Sequence, residues 1–358
     1  MRAAIFVGQD QPLEIEDVTP VDPGPKDVVV HVDASGVCHS DLSVMNGSLP
    51  MPPPCILGHE GTGTVESVGK EVSRVKPGDR VIASFTPACG ICWYCLRDQS
   101  NLCEQMGALA VAPKATRADG SAMIAMTGLG TFAEMMTVDE SAVVRVDTNL
   151  PAEQLALIGC GVTTGVGAAL NTAKVKPGSS VAVIGCGGVG QAVIQGARIA
   201  GAARIFAIDP VELKRKAAEQ LGATDLIDPA DGDPVEQVRA GTGGRGADYA
   251  FEVIGLPETI LQAYMTARRG GTAVVVGMPR WDSQVTLPGF GLFFEEKRLL
   301  GCVYGSAQVR RDFPRFVDLV ETGRLDLNAM VSRRVKLDEI NDAFRAMQAG
   351  EVIRSVVV

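Results

Sequence analysis

Four cysteines, Cys89, Cys92, Cys95 and Cys103, fall within fifteen positions, separated by two, two and seven residues. Thiolates spaced this closely fold around one soft cation. Zn²⁺ takes four of them in a tetrahedron and leaves no position for substrate. Iron–sulfur proteins use related runs, but the Cys-Pro ending is missing here and the fourth interval differs, so a structural zinc is expected. A second set of donors is scattered: Cys38 in Gly36-Val-Cys-His-Ser-Asp41, His59 in Gly58-His-Glu-Gly61, and Cys160 between Gly159 and Gly161. Taken singly, Cys38 and Cys160 read as small buried apolar residues, and His59 beside Glu60 as a satisfied pair in a turn. Taken together, two thiolates and one imidazole form an open zinc set with one position left for a reactant. Separation in sequence does not by itself bring them together.

A third constellation concerns phosphate. Val181-Ala-Val-Ile-Gly185-Cys-Gly187-Gly188-Val189-Gly190 matches G-x-G-x-x-G after a strand-like run and ahead of a helix-like one. In that context Gly185 permits a tight turn, Gly187 lets backbone approach a pyrophosphate, and Gly190 allows close helix–strand packing. The helix start offers oriented N–H groups to the phosphates. Asp209 follows Gly190 by nineteen residues, at the end of the next strand-like run. A carboxylate there accepts from the adenosine ribose hydroxyls and repels a 2′-phosphate, which favours NAD over NADP. Lys214 is a further candidate for the ribose.

The elements that must hold these residues change character along the chain. The first half reads as short strands (Val28–Val32, Gly63–Val68) punctuated by Pro and Gly. From about Lys176 apolar strands alternate with helices. The strands are Val181–Ile184, Arg204–Ile208, Leu226–Ile227, Tyr249–Val253, Thr272–Val276 and Leu299–Val303; the helices are 188–200, 211–221, 234–240 and 257–268. Such alternation implies a parallel sheet covered on both faces. Helices over 312–322 and 338–349 and a strand over Ser355–Val358 close the chain.

At 358 residues the chain suits two domains. Its 46% apolar and 21% charged residues exclude bulk disorder. The balance of 33 basic against 42 acidic residues, net −9, disfavours nucleic acid as a partner. No secretory leader is expected at the start, and no run approaches the eighteen or so apolar residues of a membrane span. A cytoplasmic location is therefore expected. Nine cysteines cannot all pair, and clustered thiols in such a chain point to metal before disulfides.

The ordered motifs around Cys38, His59, Cys89–Cys103, Cys160 and Gly185–Gly190 resemble those of the zinc-dependent alcohol dehydrogenases of the medium-chain dehydrogenase/reductase superfamily. The likeness runs to Gly350-Glu-Val-Ile-Arg354, and Gly159–Lys174 is similar to the branch shared by animal-type alcohol dehydrogenases and glutathione-dependent formaldehyde dehydrogenases. It implies an α/β fold: a doubly wound Rossmann NAD-binding domain over 162–304, and a β-rich GroES-like catalytic domain over 1–161 and 305–358 with a zinc lobe at 89–103. It implies two Zn²⁺ per chain, with Cys38, His59 and Cys160 holding the catalytic one and Glu60 an occasional alternative ligand. Asp41 would orient His59, and Ser40 would hydrogen-bond the alcohol. Thr164 and Val189 would flank the nicotinamide; His39 and Arg354 would meet the pyrophosphate. Many relatives complete a proton relay with a histidine three residues after that serine. Ser43 stands there, so the proton is expected to leave through water.

The same resemblance bears on substrate. Glutathione-adduct enzymes carry acidic and arginine side chains near the substrate. The loop Asn46–Cys55 has no acid, and Glu104–Pro113 has no arginine. Leu49, Met51, Phe85, Met126 and Met278 suggest an apolar pocket instead, although each also suits ordinary core packing. The expected reaction is interconversion of medium-chain or aromatic primary alcohols and their aldehydes. The alternatives are a thiol-adduct formaldehyde dehydrogenase and a non-catalytic NAD- and zinc-binding redox sensor. A homodimer, with a tetramer as alternative, is implied through the last strand of the βαβ block, read across Phe290–Phe294 and Arg298–Cys302.

Overall fold

The computed structural model describes residues 1–358. The chain divides into two compact units. The first is Met1–Gly161 with Gln308–Gly323 and Val331–Val358; the second is Val162–Ala307 with Arg324–Met330. The later boundary thus lies at 307/308, and Arg324–Met330 joins the second unit. Gln195 explains that excursion: its Nε2 donates to the Asp326 carbonyl (3.0 Å), and its Oε1 accepts from the Asp326 N–H (2.8 Å).

The first unit holds a six-stranded and a seven-stranded sheet. Asp27–Gly36 is central in the larger one, pairing antiparallel with Glu60–Val68, Met135–Asp139 and Arg354–Val357. Val28, Val30, Val65, Val81 and Met136 point into one core, and burial of each such side chain contributes about 1.5–3 kcal/mol. Register is what matters for chemistry. Gly36 stands opposite both Glu60 and Val356. The segment leaving Gly36 toward Cys38 therefore lies beside the one entering through His59, with Arg354 close to Glu60.

The second unit is a six-stranded parallel sheet. Its strands run Asp225–Ile227, Arg204–Ile208, Ser180–Ile184, Ala247–Glu252, Ala267–Val275 and Arg298–Gly301 from edge to edge. The order reverses direction beside Ser180–Ile184, which is the Rossmann arrangement, with the ligand crevice at the carboxyl ends of the strands there. Helices Gly188–Ile199, Glu212–Leu221, Pro234–Gly241 and Pro257–Thr266 alternate with the strands. Two apolar clusters, one around Val181, Val183 and Phe251 and one around Phe206, Ile208 and Tyr264, fill its two faces.

One expectation needs correction. Phe290–Phe294 is not part of a strand. Gly289–Phe294 is a short helix, with Phe290 and Phe293 77% and 80% exposed. Phe290 and Phe294 stack at 5.5 Å, an i,i+4 contact that helical spacing allows. One helical run, Ala152–Thr172, is long and apolar enough to cross a membrane by length and composition. In the fold 83% of its apolar window is buried within the protein, the setting of a core helix.

Candidate active site

Cys38 is the residue before helix His39–Met45, whose first turn carries Asp41. Asp41 is fully buried and organises its surroundings. Its Oδ2 accepts from the Cys38 N–H (3.2 Å), and its Oδ1 from the Gly58 N–H (3.0 Å) and from His59 Nδ1 (3.1 Å). A carboxylate only accepts, so His59 must carry its proton on Nδ1, leaving the Nε2 lone pair for a metal. The ring edge of Phe85 meets the His59 ring at 5.8 Å and 84°. Cys160 comes from the other direction, in a π-helical turn, Ile158–Val162, within the helical run. Such turns widen a helix and recur at functional sites. Its flanking glycines leave room for close neighbours. A Cβ on Gly159 would lie 3.1 Å from the Ala83 carbonyl oxygen, and one on Gly161 3.3 Å from Arg354 Nη1.

Ligand atoms of Cys38, His59, Glu60 and Cys160 lie within 4.8 Å of one another, all on buried residues. Contact with Cys160 and the nearby His59 hold the Cys38 thiol well below its ordinary range despite burial. Burial opposes charge on His59, but Asp41 and Cys38 outweigh it and push its pKa up to about 10, so a metal binding there must displace the Nε2 proton. Glu60 pairs through Oε2 with Arg354, while its Oε1 is buried without a hydrogen-bond partner. Two soft thiolates, one imidazole and an orphaned carboxylate oxygen are a donor set that fits Zn²⁺.

Cys89, Cys92, Cys95 and Cys103 form the second cluster. Sγ atoms of Cys89 and Cys95 are 3.8 Å apart, and those of Cys92 and Cys103 3.9 Å. A tetrahedron with metal–sulfur bonds of about 2.3 Å has edges of about 3.8 Å, so these four also fit zinc. Hydrogen bonds from the Glu104 and Cys95 backbones draw the Cys92 thiol down to about 6, whereas burial pushes Cys95 up to about 12. The remaining cysteines, Cys55, Cys186 and Cys302, are buried, and all nine are free of disulfides.

In the second unit Gly185 follows the strand at φ +94°, and a Cβ on Gly190 would lie 1.9 Å from the Gly185 carbonyl oxygen. A Cβ on Gly187 would meet nothing within 4 Å, which leaves a cradle for a ligand. Gly188 and Val189 open the helix there. Asp209 is buried; its Oδ2 accepts from the Cys186 N–H and its Oδ1 from the Val211 N–H, both at 2.8 Å. A residue not singled out from the sequence, Gln191, ties the loop down. Its Nε2 donates to the carbonyls of Cys186 (2.8 Å) and Lys214 (2.9 Å). A buried amide straight after G-x-G-x-x-G was the only available signal for it.

The other expected residues sort as follows. Ser40 is half-buried and His39 exposed on the helix after Cys38, and Ser43 Oγ donates back to the His39 carbonyl (3.0 Å). The Arg354 guanidinium is buried against Glu60. Thr164 and Lys214 are half-buried in the second unit. Of the apolar five, Met126 is a core residue, 2% exposed among Ala4, Phe6 and Phe132, so its place in a pocket is withdrawn. Leu49 and Met51 pack on that core at its margin, and Met278 is exposed.

A buried thiolate–imidazole set, in a chain that also carries a Rossmann sheet and its glycine-rich turn, defines a metal-dependent, nucleotide-linked dehydrogenase. Residues 24–148 match the alcohol dehydrogenase GroES-like domain, and residues 188–322 match the zinc-binding dehydrogenase family. An S-(hydroxymethyl)glutathione dehydrogenase of Photobacterium damsela subsp. piscicida is 40% identical over 365 residues, covering 99% of each chain. Benzyl alcohol dehydrogenase of Acinetobacter calcoaceticus superposes with a TM-score of 0.93 at 30% identity, over 99% of this chain and 98% of that one. A protein of Sinorhizobium meliloti 1021 described as a zinc-binding dehydrogenase, solved with NADP, has a TM-score of 0.83 at 30% identity, over 100% and 98%. The chain therefore belongs to the zinc-dependent alcohol dehydrogenases of the medium-chain dehydrogenase/reductase superfamily, and it is an oxidoreductase.

Proposed function

We propose that this chain interconverts medium-chain or aromatic primary alcohols and their aldehydes with NAD, carrying one catalytic and one structural zinc. The observation that carries the reading is the approach of Cys38, His59, Glu60 and Cys160 ligand atoms to within 4.8 Å. Zinc bound there supplies Lewis-acid polarisation of the substrate oxygen, and NAD supplies the hydride acceptor. The chain's own residues do the rest. Cys38, His59 and Cys160 hold the metal, and Asp41 fixes the imidazole tautomer. Ser40 accepts the hydroxyl proton. Ser43 is turned onto the His39 carbonyl, so the proton leaves through water. Gly185–Gly190 and the helix they open receive the pyrophosphate, and Asp209 with Lys214 the ribose. The carboxylate at 209 supports NAD over the NADP bound by the Sinorhizobium relative.

The Photobacterium relative acts on a glutathione adduct, which has charged ends. Here Asn46–Cys55 offers no acid and Glu104–Pro113 no arginine, so such an adduct would lack partners. The benzyl alcohol dehydrogenase likeness supports an aromatic or medium-length alcohol. The test is NADH formation from benzyl alcohol, 1-hexanol and formaldehyde, with and without glutathione. Turnover of the first two without thiol is expected. Oxidation of formaldehyde alone, and only with added thiol, would favour the adduct reading. The edge strand Arg298–Gly301 has one unpaired side and supports a homodimer, checked by sedimentation.

A further inference from the structure

The second unit carries a cavity of about 980 Å³ whose lining is basic. Arg239, Arg245, Arg268, Arg269 and Lys297 face it; Glu236, Glu295 and, from the adjoining cavity, Asp248 offset three of them, which leaves two positive charges in excess on a chain of net charge −9. An adjoining cavity of about 310 Å³ shares Arg245 and Arg268 with it. The lining comes from helix Pro234–Gly241 and from the residues just before or at the start of strands Ala247–Glu252, Ala267–Val275 and Arg298–Gly301. The glycine-rich turn leaves the opposite, carboxyl end of the same parallel sheet. Five strand residues at about 3.3 Å each separate the two ends by about 16 Å, so this is not the cofactor site.

Some of these cations have structural employment. Arg268 bonds Asp248 (2.7 Å) and the Arg269 carbonyl (2.6 Å), and Arg239 pairs with Glu236 (2.6 Å). Arg204 in the adjoining cavity binds Asp225 and the Gly241 carbonyl at a helix end, the ordinary use of a cation there. Arg245 and Arg269 form no ion pair, and the Arg269 guanidinium lies 5.2 Å over the Phe294 ring. Lys297 is 3% exposed at its side chain, held by Glu295 (2.7 Å) and the Tyr264 carbonyl (3.1 Å). An ammonium has three donors, so one remains. A buried ammonium and two uncommitted guanidinium forks around one concavity of ligand size suit phosphate oxygens, which Arg engages in pairs.

We propose that this cavity binds an anion carrying a chain of phosphates, at a site separate from the cofactor's. Arg245, Arg269 and Lys297 line one cavity of about 980 Å³, far more room than a single phosphate fills, so a chain of phosphates is the ligand that engages them together. The experiment is calorimetric titration of the whole enzyme saturated with NADH, so that the glycine-rich turn is filled. Sodium tripolyphosphate, ATP and orthophosphate are the probes. Tripolyphosphate and ATP should bind at least 10-fold more tightly than orthophosphate, and affinity should fall as salt rises. ATP binding at least 10-fold more tightly than tripolyphosphate would identify a nucleotide as the source of the chain. Comparable affinities would identify the chain alone. Arg245→Gln with Arg269→Gln should weaken both at least 10-fold while leaving alcohol turnover and the melting temperature unchanged. Arg245→Gln alone serves if the pair disturbs folding. Absence of binding, equal binding of orthophosphate, unchanged affinity in a folded variant, or loss of binding on NADH saturation would each overturn the proposal.

Discussion

Replacing Asp41 by Asn tests whether one buried carboxylate assembles the metal site. Its two oxygens are unequally used: Oδ1 accepts from Gly58 and His59, Oδ2 from Cys38. An amide keeps only one acceptor oxygen. Placing that oxygen at the Oδ1 position preserves two bonds and turns the NH₂ against the Cys38 N–H. The reverse placement opposes two donors, so the first is favoured. The cost is a buried N–H without an acceptor, about 1–3 kcal/mol. The bond to His59 also loses its charge, which lowers imidazole basicity. Changes of this kind cost metal sites about 10–100-fold in affinity, or about 1.4–2.8 kcal/mol. The assay is zinc retention against a graded chelator, read beside turnover. Asp41→Asn should release one zinc at about 10–100-fold lower chelator activity and keep the zinc of the four-cysteine lobe. Release of both zincs in parallel with the wild type would show that Asp41 does not hold the metal site together.

Three further outcomes follow from other parts of the fold. Cys103→Ser should remove one zinc per chain and admit protease cleavage between Cys89 and Cys103, because three thiolates cannot close the lobe; mass spectrometry of the digest reads this directly. Gln191→Leu strips the Cys186 and Lys214 carbonyls of their donor; KM for NAD should rise about 10-fold, on the order of 1.4 kcal/mol, with kcat changed little in steady-state kinetics. Burial raises the pKa of Asp248, but hydrogen bonds from Ser180 and Arg268 outweigh it and leave the pKa lowered. A lowered carboxylate stabilises the fold above its unfolded pKa, about 3.9, and loses that contribution as pH falls through its folded value. Asp248→Asn should therefore be less stable by about 1–3 kcal/mol at neutral pH, with its denaturation curve converging on the wild type below pH ~3.

What the sequence disclosed divides by range. The cysteine lobe and the glycine-rich turn are local, so spacing alone was legible as chemistry. Cys38, His59 and Cys160 meet through the register of Gly36 opposite Glu60 and through a π-helical turn. Register depends on pairing between distant strands, and a π turn has no propensity signature. Resemblance, not spacing, linked those three residues. Phe290–Phe294 misled because the resemblance carried the edge strand back across it, while the fold places it on a short exposed helix. Met126 shows the matching limit for apolar residues: pocket wall and core share one composition, and only burial separates them.

Catalysis by this chain requires a zinc held by Cys38, His59 and Cys160. Zinc per chain, measured by atomic emission on the wild type and Cys38→Ala alongside NADH formation from benzyl alcohol, tests it most directly. The wild type should hold two zincs, and the variant one, with turnover abolished and the fold retained by circular dichroism. An active wild type holding one zinc, or a Cys38→Ala enzyme that still turns over, would contradict it.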